Sequence, residues 1–327
     1  MIETLLFVAG GLVALLIGGE VLVRGAVGVA EKAGVSPLII GLVIVGFGTS
    51  MPELVTSVEA ALAGSPDIAW ANIVGSNIAN TLLILGTAAL VAPILIREGS
   101  ASRDAGVAAV ASLAFAGMAV VGFGAAWLGA AMLAGLAAYL AWCYREERAA
   151  APAMLHNAPY DRSAALEMSD AGLHPARNGW GKPVALLLGG LALLIVGGQF
   201  LVTGAIDLAR IAGLSETLIG LTVVAIGTSL PELVTSVVAA RKGEPEVAFG
   251  NVVGSNIYNI LGIGGVTMIV APGALPVSLW PFDILVMLAS ALAVLLLIGT
   301  TRRVGRAAGG ALLAAYLAVM VVVVLAG

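Results

Sequence analysis

Apolar runs follow one another along almost the whole chain, interrupted by short stretches that carry charge, glycine or proline. Each run is about 20 residues long, the length of a helix crossing a bilayer and roughly twice that of a barrel strand. Reading the interruptions as loops predicts ten spans, over residues 4–24, 37–63, 68–94, 105–122, 126–144, 184–206, 217–240, 247–271, 279–299 and 307–326. The one substantial polar segment, roughly 146–182, contains both histidines, His156 and His174, and separates two groups of five spans. The expected organisation is a five-helix unit over 1–146, a linker loop over 147–182 and a second five-helix unit over 183–327.

Composition agrees with this pattern. Hydrophobic residues make up 60% of the 327 positions and charged residues 10%, against about 25% charged in soluble domains. With a mean hydropathy of +1.09, the chain reads as an all-α integral membrane protein with the lipid bilayer as its surroundings. It has no basic patch suited to nucleic acid, and nothing in it marks an obligate protein partner. The N-terminus, MIETLLFVAGG, has an acid at Glu3 and no basic leader region, so it reads as the first span and not as a cleaved signal peptide. A single cysteine, Cys143, leaves no internal disulfide.

The lysines and arginines set an orientation. Of the 15 in the chain, 14 fall in one alternate set of loops and only Arg210 in the other. Adding or losing one span would scramble that division. Both termini are therefore expected outside a plasma or inner cell membrane, with the 147–182 loop in the cytoplasm.

Within these apolar runs the decapeptide GTSMPELVTS begins at residue 48, and GTSLPELVTS begins at residue 227. The same offset aligns GGEVLVRGAVGVAEKAGVS with GGQFLVTGAIDLARIAGLS, and IVGSNIANTLLILG with VVGSNIYNILGIGG. This is an internal duplication. An odd number of spans separates the copies, so the second is expected upside down relative to the first. Inverted repeats with interrupted helices, here helices 2 and 7, are an architecture of secondary transporters whose substrate site lies where the repeats meet.

The duplicated residues carry the chemistry. Pro52 and Pro231 lack a backbone N–H and crowd the carbonyl four residues back, beside Gly46, Gly48 and Gly227, which weaken the helix further. Carbonyls freed at membrane depth need another partner. Thr49, Ser50, Glu53 and Ser57 fall on one helical face, as do Thr228, Ser229, Glu232 and Ser236. A carboxylate at the midplane implies a bound cation or proton, and no lysine or arginine lies in these spans to supply the charge. Asn72, Ser76 and Asn80 form a second stripe, matched by Asn251, Ser255 and Asn259, with Asn77 and Asn256 beside it. The donor set is entirely oxygen. It suits hard cations such as Ca²⁺ and Na⁺, whereas transition metals favour imidazole or thiolate.

GTSxPELVTS paired with GSNIxN, each twice in inverted copies, resembles the calcium:cation antiporters, in particular the prokaryotic sodium/calcium exchanger branch. The resemblance implies no cofactor, with Ca²⁺ and Na⁺ as transported ions and Na⁺ entry driving Ca²⁺ extrusion by alternating access. It also implies that Glu53 and Glu232 bind Ca²⁺ centrally, with oxygens from Thr49, Ser50, Thr228 and Ser229. Asn80 and Asn259 would complete the centre. Ser76, Ser255 and the carbonyls of Gly46 and Ala225 would serve flanking Na⁺ sites. Some similar prokaryotic exchangers carry Asp at the position of Asn259, so this site has a charge of −2 with both glutamates ionised. That balances one Ca²⁺ or two Na⁺. The large Ca²⁺-sensing cytoplasmic domains of animal exchangers do not fit within 146–182.

Other polar residues read as structural. Glu20 with Arg24, and Asp207 with Arg210, look like interfacial charges near helix ends. Glu59 is an end charge or a vestibule acid, and Asp283 is placed to act as a helix cap. The REER run at 145–148 reads as a solvated helix end, and the many glycines as close-packing positions. The nearest rival function is a proton-coupled or K⁺-dependent Ca²⁺ exchanger using the same glutamates. A passive channel has no need of two inverted buried acids. An intramembrane hydrolase built on Ser50 or Ser229 would need a base, and no histidine lies in any predicted span.

Overall fold

The structure, a computed structural model, describes residues 2–96, 100–146, 179–211, 225–276 and 279–326. It is helical throughout except for one two-stranded ribbon. We label the helices α1 (Ile2–Ala33), α2 (37–49), α3 (Met51–Leu62), α4 (Pro66–Val91), α5 (Ser100–Val121) and α6 (Ala126–Glu146). After the linker come α7 (Gly181–Ile211), α8 (Ala225–Thr228), α9 (Leu230–Arg241), α10 (Pro245–Val270), α11 (Phe282–Thr301) and α12 (Arg306–Ala326). Among the described residues, eight helices are long and apolar enough to cross a membrane, and nine if the bent pair α2–α3 counts as one span. The predicted span over 217–240 begins outside the described residues, as do most of the predicted linker, both histidines and Arg97.

Two boundaries differ from expectation for one reason. α1 runs to Ala33 and α7 to Ile211, past the predicted ends at 24 and 206. Arg24, Glu31 and Lys32 halt an apolar run but not a helix. A helix of 32 residues is about 48 Å long, more than the hydrocarbon core requires, so its charged turns extend beyond it.

α1 and α7 pack antiparallel along a seam of glycines spaced by seven: Gly11, Gly18 and Gly25 against Gly190, Gly197 and Gly204. A Cβ at Gly25 would sit 2.3 Å from the backbone nitrogen of Leu187, and one at Gly190 would sit 2.4 Å from that of Leu22. Lipid offers no hydrophobic drive for helix association, so close backbone approach of this kind provides the packing. The pair has its own buried cluster, including Leu15, Leu22, Leu187 and Leu194, separate from the larger core.

The larger core is organised by α4 and α10, each 78% buried over its most apolar stretch, against 17% for the peripheral α12. Trp70 of α4 meets Phe115 of α5 with ring centroids 5.6 Å apart. β1 (Ile94–Leu95) pairs antiparallel with β2 (Arg303–Val304), joining Ile94 to Val304 and Leu95 to Arg303. The ribbon unites two loops that charge counting assigns to the same side of the membrane.

A buried polar clamp joins α5 to α6, and sequence reasoning missed it. Asp104, fully buried, accepts from the Tyr139 hydroxyl at 2.9 Å and lies 2.6 Å from the Arg103 guanidinium. Arg103 also pairs with Glu146 and stacks over Trp142. Glu146 of the REER run is therefore tied into the fold and is not simply solvated. Asp283 sits in the first turn of α11, as its cap-like reading expects. In the register of the repeat it is the mate of Asp104, which extends the duplication that far.

Candidate functional site

Pro52 and Pro231 each occupy the first turn of a helix whose preceding residue leaves helical geometry: Ser50 at φ −83°, ψ 7°, and Ser229 at φ −90°, ψ 9°. At Ser50 the axis bends by 45° between α2 and α3. Glu53 and Glu232 then fall in the first turns of α3 and α9, where the partial positive charge of a helix N-terminus stabilises a carboxylate. Proline and glycine in the sequence predict freed carbonyls at the break. The structure adds these two N-terminal ends.

The two motifs interlock. Ser50 donates to Glu232 Oε1 at 3.1 Å, and Ser229 donates to Glu53 Oε1 at 3.2 Å. Each carboxylate is thus held by the hydroxyl of the other copy. Asn72 donates to the Glu53 carbonyl at 3.2 Å and to Ser57 at 2.9 Å, while Asn251 donates to the Glu232 carbonyl at 3.2 Å and to Ser236 at 2.9 Å. Matched distances in matched residues place the two halves in equivalent local geometry. Asn72 and Asn251 thus brace the two motifs through their Nδ2 groups. Their place on the polar stripe was legible, but the role was not.

Glu53, Glu232, Asn80 and Asn259 are each only 1% exposed. Glu53 Oε2, Glu232 Oε2, Asn80 Oδ1 and both polar atoms of the Asn259 side chain have no hydrogen-bond partner among the described residues. Leaving a buried polar atom unpaired costs about 1–3 kcal/mol, more for a charged one. Oxygens of this kind fit a hard cation. No group of three His, Cys, Asp or Glu side chains comes together among the described residues, so any such centre rests on two carboxylates supplemented by neutral oxygens.

Asn80 and Asn259 both lie in π-helical stretches, Ala79–Ile84 and Tyr258–Ile263, which begin at matched positions of the two copies. The first packs against α9, the helix of Glu232, and the second against α3, the helix of Glu53. The extra residue per turn lets the amide face inward without breaking the helix, and π-bulges recur at functional sites for this reason. No side-chain period in the sequence reveals such a change of winding.

The flanking residues are less equal. Ser255 donates to the Gly46 carbonyl at 3.1 Å, so those two predicted ligands meet each other. Thr49 lies 3.0 Å from both the Val45 carbonyl and Asn251 Oδ1, either of which can take its one hydroxyl proton. Thr228 is half-buried beside Ser229, and Ser76 is buried on α4. Ala225 opens α8, and the residues before it lie outside the described residues. Asn77 turns back to its own helix at the Ile73 carbonyl, whereas Asn256 reaches Thr81 at 2.8 Å. On one side, Ser50 borders an apolar cavity of about 150 Å³ lined by Phe47, Met51, Leu54, Leu133 and Tyr258.

The family model described as sodium/calcium exchanger protein matches residues 3–145 and 182–325. The chain belongs to the sodium/calcium exchanger family. Two relatives resemble it along nearly their whole length. The antiporter candidate CaxA of Alkalimonas amylolytica is 39% identical, covering 97% of this chain and 97% of its own. The sodium/calcium exchanger MaX1 of Methanosarcina acetivorans is 34% identical over 95% of this chain and 96% of its own. Among solved structures, the sodium-calcium exchanger NCX_Mj, soaked with Na⁺ and Sr²⁺, superposes with a TM-score of 0.82 at 28% identity, covering 98% of each chain. A multi-pass membrane antiporter of this family is a transporter and not an enzyme.

Proposed function

We propose that this exchanger carries Na⁺ inward in return for Ca²⁺ outward across a plasma or inner cell membrane, by alternating access at a site centred on Glu53 and Glu232. One observation carries the reading: two buried carboxylates, each anchored through one oxygen by a serine of the other copy, each keep a second oxygen without a donor among the described residues. Asn80 and Asn259 complete the centre, with Thr49, Ser50, Thr228 and Ser229 around it. Ser76, Ser255, Gly46 and Ala225 serve the flanking positions. Two five-helix units, 1–146 and 183–327, meet there as inverted repeats of ten spans with broken second and seventh helices. The paired hydrogen bonds and π-stretches support that architecture. The 147–182 loop is cytoplasmic and both termini lie outside.

Flux into sealed vesicles tests the reading. An outward Na⁺ gradient is expected to drive Ca²⁺ uptake, and Glu53→Gln or Glu232→Gln to reduce it at least tenfold, because the site loses one of its two charges. Uptake driven by a pH gradient and indifferent to Na⁺ would instead establish proton coupling at the same glutamates. Flux that survives both substitutions would remove the site assignment.

A further inference from the structure

Two repeats related by a pseudo-two-fold would make the two open states of a transporter mirror one another, unless residues present in one copy alone break the balance. The packing here is unequal. α1 lies along α9, and a Cβ at Gly19 would come 2.8 Å from Val234 and 3.2 Å from Val238. At Gly198, the mate of Gly19, the only heavy atoms among the described residues within 4 Å of an added Cβ are ring carbons of Pro231, with none from α3. The α1–α7 pair is therefore seated against α9 on the side carrying Lys242, and the described residues show no equivalent seating of α7 against α3.

An ion pair crosses that seated contact. The Lys242 ammonium, at the end of α9, lies 2.5 Å from Glu20 Oε1 on α1, and the same oxygen lies 2.6 Å from Arg24. Lys242 and Arg24 border a crevice of about 360 Å³ that also includes Val27, Glu31 and Glu244. The register of the repeat puts Gln199 where Glu20 stands and Ala63 where Lys242 stands, a pair that holds no charge. The contact cannot be reproduced at the other face. Lys242 also lies ten residues beyond Glu232 on the same helix, about 15 Å of rigid rise.

We propose that Glu20 and Lys242 are a positioning pair: a one-sided latch that keeps the Lys242 face closed and biases the exchanger toward the state open on the other side. The inference rests on the two-repeat reading above. A half-exposed ion pair is modest, but between two states of similar energy it changes their ratio roughly two- to fivefold.

Thiol labelling in ion-free detergent micelles tests it, because Cys143 is only 1% exposed and contributes little background. Val234→Cys reports opening of the latched face, and Val55→Cys, its mate on α3, reports the other. Lys242→Gln and Glu20→Gln are each expected to speed labelling of Val234→Cys by a charged methanethiosulfonate two- to fivefold. The double variant is expected to do no more than either alone, and Lys242→Arg to match the parent. Unchanged rates, additive effects, or a parallel rise at Val55→Cys would overturn the latch. Labelling needs neither ion nor gradient, so the latch can fail while Na⁺-driven flux stands, and it can hold if the flux proves to be proton-driven.

Discussion

Asn259 decides the charge of the proposed site, and charge decides how many ions leave it neutral. Two ionised glutamates balance two Na⁺ or one Ca²⁺, whereas a third Na⁺ adds an uncompensated charge at low dielectric. Ca²⁺ uptake by the parent is therefore expected to be indifferent to a membrane potential imposed with K⁺ and valinomycin. Asn259→Asp raises the site to −3, and its uptake is expected to follow the potential. The braces carry a separate prediction. Asn251 is fully buried while Asn72 is half-buried, so Asn251→Ala leaves a dry carbonyl and hydroxyl without their donor. It is expected to cost about 1–3 kcal/mol and to lower the thermal midpoint in detergent more than Asn72→Ala. At this scale the sequence was highly legible, since duplication singled out Glu53, Ser50 and Asn80 with their mates. It did not separate the bracing Asn72 from Asn80, whose Oδ1 has no partner among the described residues, because both lie on one stripe and only the cross-helix bonds of Asn72 tell them apart.

The elements show which polar and small residues are tied to packing. Gly190 meets the backbone of Leu22, while its neighbour Gly189 has nothing within 4 Å of an added Cβ. Gly190→Leu is expected to force α1 and α7 apart, costing about 1–3 kcal/mol as overpacking does. Gly189→Ala is expected to be neutral or slightly stabilising through helix propensity. Comparing thermal midpoints of the two variants in detergent checks this. Apolar runs, prolines and the repeat predicted most helices and the break at Ser50. The π-stretches and the Arg103–Asp104–Tyr139–Glu146 clamp escaped, because winding leaves no hydropathy signal and the clamp's partners lie up to 43 residues apart.

For the whole molecule, α1 and α7 share a buried cluster with Ile40 and Val45 of α2 that is distinct from the larger core. A disulfide between Leu95→Cys and Arg303→Cys, across the exposed side of the ribbon, is expected to leave vesicle flux within about twofold. One between Gly19→Cys and Val234→Cys, across the contact of α1 with α9, is expected to stop flux until reduced. Equal flux in both oxidised variants would contradict motion between α1 and α9. Hydropathy, charge asymmetry and an internal duplication were enough to predict a membrane transporter with oxygen-rich paired motifs. Those properties are written in side-chain type and spacing, which a bilayer constrains directly. Only the tertiary structure decided that each glutamate is held by the opposite copy, which asparagines brace the site, and that α1 packs along α9. Each of those depends on residues far apart in sequence, through distances and packing that no local period encodes.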